Sequence, residues 1–478
     1  MTRAATTLPD TGTPLVVDLD GTLIYSDTLW EALLLLLKQQ FWQLWRVPLW
    51  LLRGKAGFKA AMASRVQLNP ATLPYDHGLL RQLSQQRAAG RTLVLATGAE
   101  RRYAEAIAAH TGVFDEVLAS DGALNLTAAN KAEALNARYG EGRYDYIGNA
   151  RADLPVWRCS RQAYSVSATP FRLADGRLTS HMGSRRGSPL AALLQAMRPR
   201  QWLKNLLVFV PMLAAHALDG ASMWRSLAAF IAFSLCASSA YLLNDALDAH
   251  DDRLHPVKQR RPIAAGRLPL PLALLASPLL ALAALAWCAS QDWLLAAMVA
   301  IYFACTLSYS LLLKRMLMID IVTLAILYTL RILGGCASTG IAPSFWLLAF
   351  SFFIFLSLAL LKRYSELFNL HRQGKEKTSG RGYTTADKAP ISIMGVNSAF
   401  LSVLIFMLYF NSANVLTLYR RPEWLLAIVP LLVFWLGRLW MLAFRGLVNE
   451  DPVLYVSRDK VSLLIVALCL LLGVVAAT

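Results

Sequence analysis

Residues 241–253 read Tyr-Leu-Leu-Asn-Asp-Ala-Leu-Asp-Ala-His-Asp-Asp-Arg, a cluster of acids directly after a long apolar run. On a helix at about 100° per residue, Asn244, Asp245, Asp248 and Asp252 fall within an arc of about 100°. Carboxylates crowded on one face beside a membrane span repel each other and are costly. They become favourable when they bind Mg²⁺, a hard ion that prefers oxygen ligands and often shares them with substrate phosphates. The stretch therefore predicts a magnesium and phosphate site rather than a solvated helix end.

Cations follow these acids in the run from His255 to Pro262. Within it, the side chains of Lys258, Arg260 and Arg261 are suited to phosphate oxygens. Acids that hold a metal, next to cations that hold phosphate, suit a reaction in which a diphosphate leaves.

Long apolar runs dominate the C-terminal part of the 478-residue chain. Each is close to the roughly 20 residues needed to cross a bilayer, although the first is short. The nine expected spans centre on residues 203–217, 224–244, 269–288, 292–312, 319–338, 344–361, 392–411, 423–442 and 462–478. This part of the chain is therefore expected to be an all-α membrane domain with nine transmembrane helices.

The formal net charge of +17 is carried largely by the loops between these runs. Basic residues gather in alternate loops, as the positive-inside rule describes, and this argues against a nucleic-acid partner. We expect a multi-pass protein of the bacterial inner membrane, with a cytoplasmic N-terminus and the C-terminus outside. No cleavable signal peptide is visible. The six cysteines form no CxxC pair and indicate neither a disulfide nor a zinc site.

A second pair of acids lies near the N-terminus, in Leu15-Val-Val-Asp18-Leu-Asp20-Gly21-Thr-Leu23. Side chains alternate along a strand, so Asp18 and Asp20 emerge on the same side of its end. Gly21 lets the chain turn sharply there. One carboxylate can attack a phosphoryl group while the other handles protons, with Mg²⁺ between them. The stretch predicts a phosphoryl-transfer site.

The acids from Asn244 to Asp252 match the NDxxDxxxD motif, and residues 195–478 resemble the UbiA superfamily of intramembrane prenyltransferases. Several stretches are similar to one branch of it, the decaprenyl-phosphate phosphoribosyltransferases. These stretches are Arg198–Asn205, Arg253–Ala264, Lys362–Glu366, Gly380–Tyr383, Trp440–Gly446 and Asp451–Val453. The resemblance implies phosphoribosyl diphosphate as donor, a polyprenyl phosphate as acceptor, and Mg²⁺ held by Asp245, Asp248 and Asp252.

Prenyltransferases that bind a prenyl diphosphate usually carry a second aspartate-rich motif. The matching region has one aspartate, Asp320, and no carboxylate four or eight residues beyond it. Fewer acids and more cations suit a phosphate-bearing acceptor. The expected substrate-binding residues are Lys204, Asn244, Lys258, Arg260, Arg261, Tyr309, Lys314, Asp320, Arg331, Lys362, Arg363 and Lys375. For Arg331, a hydrogen-bond anchor between helices is an equal alternative.

The DxDGT stretch resembles the haloacid-dehalogenase-like (HAD) phosphohydrolases. Thr97, after the apolar strand Leu93–Ala96, is similar to the family's phosphate-binding hydroxyl, and Lys131 to the lysine that offsets charge at the phosphoryl group. Asn149 stands in place of the first aspartate of the last motif, GDxxxD, while Asp153 is retained. The implied Mg²⁺ site is weakened by one missing charge, and its ligands are Asp18, Asp20, Asn149 and Asp153.

The sequence therefore predicts an α/β, Rossmann-like HAD domain over residues 1–187, with a helical cap at about 24–90, before a UbiA-type domain over 195–478. The polar stretch Gly183–Ser188 marks the boundary. Within the cap, residues 29–52 are rich in leucine and tryptophan. We favour a surface that rests on the bilayer or on the membrane domain over a buried helix hairpin.

The leading functional hypothesis is sequential. The membrane domain transfers phosphoribose to a polyprenyl phosphate, and the HAD domain removes the 5-phosphate. One alternative is an aromatic prenyltransferase with a regulatory HAD domain, and another is a non-enzymatic transporter or scaffold for lipid phosphates. Magnesium-dependent release of diphosphate separates the two enzymes from the third reading, and the acceptor separates the enzymes from each other.

Overall fold

The computed structural model describes residues 12–122, 125–184, 187–376, 381–410, 418–448 and 451–478. The two arginines at the expected domain boundary and Gly380 of one family-like stretch lie outside the described residues. The chain forms two compact units. The first comprises Met1–Ala196 and Leu242–Ala276, and the second comprises Met197–Tyr241 and Ser277–Thr478. The segment that carries the acidic cluster thus belongs to the first unit.

A six-stranded parallel sheet forms the centre of the first unit, in the order β3-β2-β1-β4-β5-β6. Its strands are β1 Leu15–Val17, β2 Leu93–Glu100, β3 Glu116–Ser120, β4 Asp145–Gly148, β5 Ala163–Ser165 and β6 Ser180–His181. Leu15 and Val17 pack into one hydrophobic core while Val16 packs into another. Buried residues on both sides of β1 are what a parallel sheet covered on both faces requires. The predicted Rossmann-like α/β architecture is confirmed.

The helices of the first unit surround this sheet and form the insertion between β1 and β2. They are α1 Thr28–Gln39, α2 Val47–Leu51, α3 Gly54–Ala63, α4 His77–Ala88, α5 Arg101–Thr111, α6 Ala128–Tyr139, α7 Leu154–Cys159 and α8 Pro189–Ala196, with 3-10 turns at Phe41–Arg46 and Pro70–Thr72. Helix α1 begins where the Asp27 carboxylate accepts hydrogen bonds from two backbone N–H groups, which caps the helix.

The leucine- and tryptophan-rich part of the insertion is only partly packed. Trp50 is buried in a small core with Leu36, Phe58 and Met62. By contrast, the side chains of Trp42 and Trp45 are 59% and 65% exposed. A wholly buried hairpin therefore does not describe residues 41–52, and the surface resting on the bilayer stays a prediction.

Eight helices are long and apolar enough to cross a membrane in the part of the chain that the structure describes. In chain order, the helices of this region are α9 Val210–Ala214, α10 Gly220–Leu247, α11 Ala249–Leu254, α12 Leu270–Gln291, α13 Trp293–Leu311, α14 Ile319–Thr339, α15 Phe345–Arg372, α16 Lys388–Phe410, α17 Ile428–Phe444, α18 Pro452–Val456 and α19 Lys460–Ala477. The eight candidates are all but the three shortest. The chain is a multi-pass membrane protein.

The expected count of nine spans is not confirmed. The first expected span is a 3-10 helix, Pro199–Phe209, followed by the five-residue α9. Pro211 in the first turn of α9 lacks a backbone N–H, so a regular helix cannot run through it. The backbone also meets α14 closely, because a Cβ at Gly335 would lie 2.1 Å from the Val208 carbonyl oxygen.

Candidate active sites

The carboxyl end of β1 carries the first candidate site. Asp18 is buried, and its Oδ1 accepts a 2.7 Å hydrogen bond from Lys131 Nζ, which α6 supplies. The Thr22 hydroxyl donates to Asp18 Oδ2 at 3.2 Å. Burial raises the pKa of Asp18, although Lys131 opposes that shift. The structure thus brings together one of the two predicted catalytic carboxylates and the predicted lysine, from positions 113 residues apart.

A tyrosine joins this pair to the end of β4. Lys131 Nζ donates to the Tyr146 hydroxyl at 2.9 Å, and that hydroxyl donates to Asp153 Oδ1 at 2.8 Å. The other oxygen of Asp153 accepts from the backbone N–H groups of Asn149 and Ala150. Lys131, Tyr146 and Asp153 therefore form one buried polar chain behind Asp18.

The turn after β1 lies against Asn149. Gly21 has φ of +70°, and a Cβ there would lie 2.1 Å from Asn149 Nδ2. Both the left-handed conformation and the close approach therefore require glycine at this position. Asn149 lies beside this turn, at the edge of the candidate site.

Asp20 is held by the first turn of α1. Its Oδ1 accepts from the Thr28 backbone N–H at 2.8 Å, and its Oδ2 from the Thr28 hydroxyl at 3.3 Å. Burial raises the pKa of Asp20 to about 8, and the nearby Asp27 carboxylate adds to the rise. A carboxyl with a raised pKa is suited to supplying a proton.

A lysine from the cap reaches the same region. Lys59 on α3 donates to Asn125 Oδ1 at 3.0 Å and to the Gly98 carbonyl oxygen at 2.5 Å. Burial lowers the pKa of Lys59, although Asp20 and Asp27 act in the opposite direction. The predicted phosphate-binding Thr97, within β2 at the point where its register with β3 shifts, is buried, and its hydroxyl accepts from the Ala99 N–H. Lys59 adds a cation that sequence reasoning missed.

The acidic motif of the segment Leu242–Ala276 is organised by an arginine. Arg261 Nη1 donates to Asp245 Oδ1 at 3.0 Å and to Asp252 Oδ2 at 2.6 Å. Both aspartates are buried. Burial raises the pKa of Asp252, against the effect of Arg261. The predicted convergence of acids and a cation is present within this segment.

The motif does not lie on one unbroken helix. Helix α10 ends at Leu247, and Asp248 is the N-cap residue of α11. The turn still keeps helical spacing, because the Asp252 N–H donates to the Asp248 carbonyl at 2.8 Å. Asn244 is half-buried, whereas Lys258 and Arg260 are exposed on the 3-10 turn that follows.

The second unit contains a separate group of charges. Lys204 Nζ and Lys362 Nζ both donate to Asp451 Oδ2, at 2.7 and 2.9 Å. Burial alone would raise the pKa of Asp451, but the two lysines outweigh it and hold this pKa well below its usual range. The two lysines, predicted to bind substrate, therefore converge on one carboxylate.

Asp320 is engaged by neighbouring side chains. It is fully buried, and its Oδ2 accepts a 2.6 Å bond from Arg363 Nη2. Its other oxygen accepts from the Tyr383 hydroxyl, and Arg363 also donates to Glu366. Of the other predicted residues in this unit, Tyr309 and Lys314 are half-buried, and Lys375 is exposed.

Arg331 is bonded through each of its nitrogens. It donates to Asn205 Oδ1 and to the Tyr302 hydroxyl, each at 2.7 Å, and to the Leu327 carbonyl. Its guanidinium lies 4.7 Å from the centre of the Tyr302 ring. This geometry favours the interhelical anchor over direct substrate binding.

Comparison with known proteins agrees with this architecture. Residues 205–455, more than half of the chain, match the UbiA prenyltransferase family. The chain belongs to that family. Residues 15–158 match the haloacid dehalogenase-like hydrolases, so this UbiA-family chain carries an N-terminal HAD-like domain. The predicted fusion is confirmed.

Relatives extend over different parts of the UbiA-family chain. The uncharacterized protein y4nM of Sinorhizobium fredii is 35% identical over 95% of this chain and 89% of its own length. Nodulation protein NoeC of Azorhizobium caulinodans is 33% identical over 60% of this chain and 93% of its own. The decaprenyl-phosphate phosphoribosyltransferase of Mycolicibacterium smegmatis is 39% identical over 41% of this chain and 64% of that enzyme, less than two thirds of it.

Sequence reasoning missed several residues of these groups. Asp451 appeared only within a family-like stretch, and no local pattern marks it as the partner of lysines at positions 204 and 362. Tyr146 precedes the GDxxxD-like motif, where its buried position in a strand hides the role of its hydroxyl. Lys59 lies in an ordinary helical pattern of the cap.

Proposed function

We propose that this chain transfers a 5-phosphoribosyl group from phosphoribosyl diphosphate to a polyprenyl phosphate, and that its HAD domain then removes the 5-phosphate from the lipid product. The observation that carries the transferase assignment is the state of Asp320. It is the one carboxylate of the region where a second aspartate-rich motif would lie. Its two oxygens are occupied by Arg363 and Tyr383. The sequence offers no carboxylate four or eight residues beyond Asp320 to complete a second aspartate-rich motif, and this argues against a second metal site for a prenyl diphosphate.

The donor sets fit Mg²⁺ in their chemistry, since they consist of buried or half-buried carboxylates and an amide, all hard oxygen ligands. Among the described residues, no cluster of three or more acidic, histidine or cysteine side chains is already arranged around a common point. Instead, protein cations lie among the acids, namely Lys131 at Asp18 and Arg261 at Asp245. Mg²⁺ would be held by Asp245, Asp248 and Asp252 in one site and by Asp18, Asp20, Asn149 and Asp153 in the other. When bound, it would neutralise charge on the phosphate oxygens.

In the transfer step, an oxygen of the lipid phosphate attacks the anomeric carbon of the donor. The bond from that carbon to the diphosphate breaks, and the diphosphate leaves. Arg261, with Lys258 and Arg260 on the same turn, is suited to the departing oxygens. Lys204 and Lys362 are suited to the lipid phosphate, which would replace the Asp451 carboxylate as their partner. Most of the catalysis would be positioning and charge stabilisation.

In the phosphatase step, Asp18 attacks the 5-phosphate and the bond to the ribose oxygen breaks. Asp20 supplies a proton to that leaving oxygen, and water then hydrolyses the aspartyl phosphate. Lys131 lies 2.7 Å from Asp18 Oδ1 and offsets the negative charge that gathers there. The Thr97 hydroxyl would bind the phosphate, and Lys59 would add a positive charge beside it.

We also place the chain in the bacterial inner membrane, with the HAD domain and the aspartate motif on the cytoplasmic side. The basic loops next to the motif support this orientation. Both reactions would then take place at the same membrane face, and the lipid intermediate would not need to cross the bilayer.

The deciding experiment uses the purified full chain, Mg²⁺, a polyprenyl phosphate, and phosphoribosyl diphosphate with ¹⁴C in the ribose and ³²P in the 5-phosphate. Wild type should yield lipid that carries ¹⁴C without ³²P. Asp18→Asn should yield lipid with both labels, and Asp248→Ala should yield neither. Lipid with both labels from wild type would overturn the phosphatase assignment alone. No ¹⁴C in the lipid of any variant would overturn the transferase assignment and favour an aromatic acceptor with a prenyl diphosphate.

A further inference from the structure

Helix α1 of the HAD domain contacts the segment that carries the aspartate motif, and all of these residues belong to the first compact unit. The strongest contact joins Glu31 and Arg253. Arg253 Nη2 donates to Glu31 Oε1 at 2.6 Å and Nη1 donates to Oε2 at 3.1 Å. The pair is therefore bidentate, the strong and directional form of this interaction.

This pair is unlike a surface salt bridge, because its side chains are only 4% and 8% exposed for Glu31 and Arg253. The remaining polar atoms are also satisfied. Ser26 donates to Glu31 Oε1 at 2.6 Å, while Arg253 donates to the carbonyl oxygens of Ala264 and Thr72 at 3.0 and 3.2 Å. Removing one partner would leave a buried charge uncompensated.

Two further contacts join the HAD insertion to the same segment. Lys38, in the last turn of α1, lies 2.7 Å from Asp251 Oδ2 and 3.4 Å from Asp248 Oδ1. The Thr72 hydroxyl lies 2.9 Å from His250 Nδ1. Contacts from α1 and from the 3-10 turn Pro70–Thr72 therefore flank the point where the helix through the motif is interrupted.

The first turn of α1, which also carries Glu31, binds Asp20 of the candidate phosphatase site through the Thr28 N–H and hydroxyl, while Lys38 lies in the last turn. We propose that α1 is a positioning element shared by the two sites: its first turn orients Asp20, while Glu31 and Lys38 hold the aspartate motif in its binding geometry. The role of the motif in donor binding rests on the proposed function. The anchoring of the motif by Glu31 and Lys38 does not depend on that function, and it can be measured without any substrate.

The physical need for such an element lies in the motif. Four acids within nine residues repel one another, and the helix breaks at Asp248. Arg261 pairs with Asp245 and Asp252. Lys38 lies next to Asp248 and Asp251, so each of the four acids has a cation beside it. Without Glu31, Arg253 loses its carboxylate partner and the segment from residue 249 to 266 loses its principal anchor to α1.

Limited trypsin digestion tests the anchor directly, because Arg253, Lys258, Arg260 and Arg267 are cleavage sites, whereas the bond after Arg261 is protected by Pro262. The full chain in detergent with EDTA is digested, and cleavage between residues 253 and 267 is followed by mass spectrometry. Glu31→Gln should raise the cleavage rate there at least about tenfold, and Lys38→Met by a smaller factor. The exposed residues Glu133 and Lys55 provide the matched controls Glu133→Gln and Lys55→Met, which should leave the rate unchanged.

The same variants are assayed for transfer from phosphoribosyl diphosphate. If α1 positions the motif, the KM for this donor should rise about tenfold in Glu31→Gln. Glu31→Asp keeps the carboxylate and should retain part of the affinity for the donor. Equal cleavage rates in wild type and in both test variants would overturn the proposal, whatever the donor proves to be. If Glu31→Gln fails to fold, as judged by its gel-filtration profile, the less buried Lys38→Met decides by the same two measurements. Faster cleavage with no donor-dependent transfer in wild type would overturn only the proposed function.

Discussion

The ammonium group of Lys131 lies between the Asp18 carboxylate and the Tyr146 hydroxyl, at 2.7 and 2.9 Å. These three side chains come from α6, from the loop after β1, and from β4. The predicted nucleophile is therefore built into the fold with its counter-charge, and further polar contacts continue to Asp153. The phosphatase site can be tested residue by residue on this basis.

Replacing Lys131 with methionine should lower the rate of 5-phosphate release at least about 100-fold, because a positioned cation at the reacting phosphate is lost. Transfer of ribose to the lipid should continue. The measurement is ³²P-phosphate release from labelled lipid product, with Lys55→Met as control. A variant that keeps more than a third of the wild-type rate would remove Lys131 from the proposed mechanism.

Asn149→Asp should increase the Mg²⁺ affinity of the HAD site about tenfold or more, because it adds a negative charge near two carboxylates. The exchange preserves side-chain size, which matters because Asn149 lies against the turn at Gly21. The Mg²⁺ concentration for half-maximal phosphatase activity provides the measurement. An unchanged or higher requirement would show that position 149 does not contribute to the metal site.

The metal-free HAD domain should lose stability as pH rises from about 4 to about 8, because the pKa of Asp20 is raised by burial to about 8. In this window the folded state keeps a proton that the unfolded chain releases, so alkali favours unfolding. Asp20→Asn should reduce this decline. The thermal midpoint in EDTA at pH 5 and pH 8 tests it, with Glu133→Gln as control. Identical pH slopes for wild type and Asp20→Asn would contradict the prediction.

Lys59→Met should raise the KM of the phosphatase for its anionic substrate about tenfold, with a smaller effect on kcat, because a cation beside the site is removed. Steady-state kinetics on the isolated lipid product separate the two constants. If kcat falls and KM stays constant, Lys59 acts through the Gly98 carbonyl of β2 and the Asn125 side chain that it binds, rather than on the substrate.

Asp451→Asn should destabilise the transferase domain by about 3 kcal/mol, because two largely buried lysines lose their shared carboxylate. The thermal midpoint in detergent should fall accordingly. Adding Lys204→Met should recover part of this loss, since residues that share a partner are not additive. Additive losses in the double variant would show that the three charges do not act together.

The sequence predicted the parts of the fold that depend on local patterns. Leu15–Val17 and Leu93–Ala96 are buried strands because their runs of apolar residues fill cores on both faces of a parallel sheet. The long apolar runs are helices because a bilayer leaves no other way to satisfy a continuous backbone. The aspartate motif and Arg261 are also close in sequence, so a local pattern was enough to predict that they lie together.

The parts that depend on contacts between distant positions were not predicted. Glu31 and Arg253 are 222 residues apart, and nothing in either neighbourhood indicates the other. The first expected span is not confirmed, and apolar composition alone does not predict its 3-10 conformation or the close approach of Val208 to Gly335. The helix break at Asp248 was missed because a periodicity argument assumes a continuous helix.

The Glu31–Arg253 pair also bears on how such a fusion could be recombined. Each half has its own sequence family, which suggests modules that could be exchanged at the linker. A HAD domain taken from another protein, however, would bring a foreign α1 opposite Arg253 and leave that arginine without its acid. A chimera of this chain should therefore exchange α1 and residues 249–266 together. The two stretches that have to match are far apart in the sequence, so a single crossover at the linker would separate them.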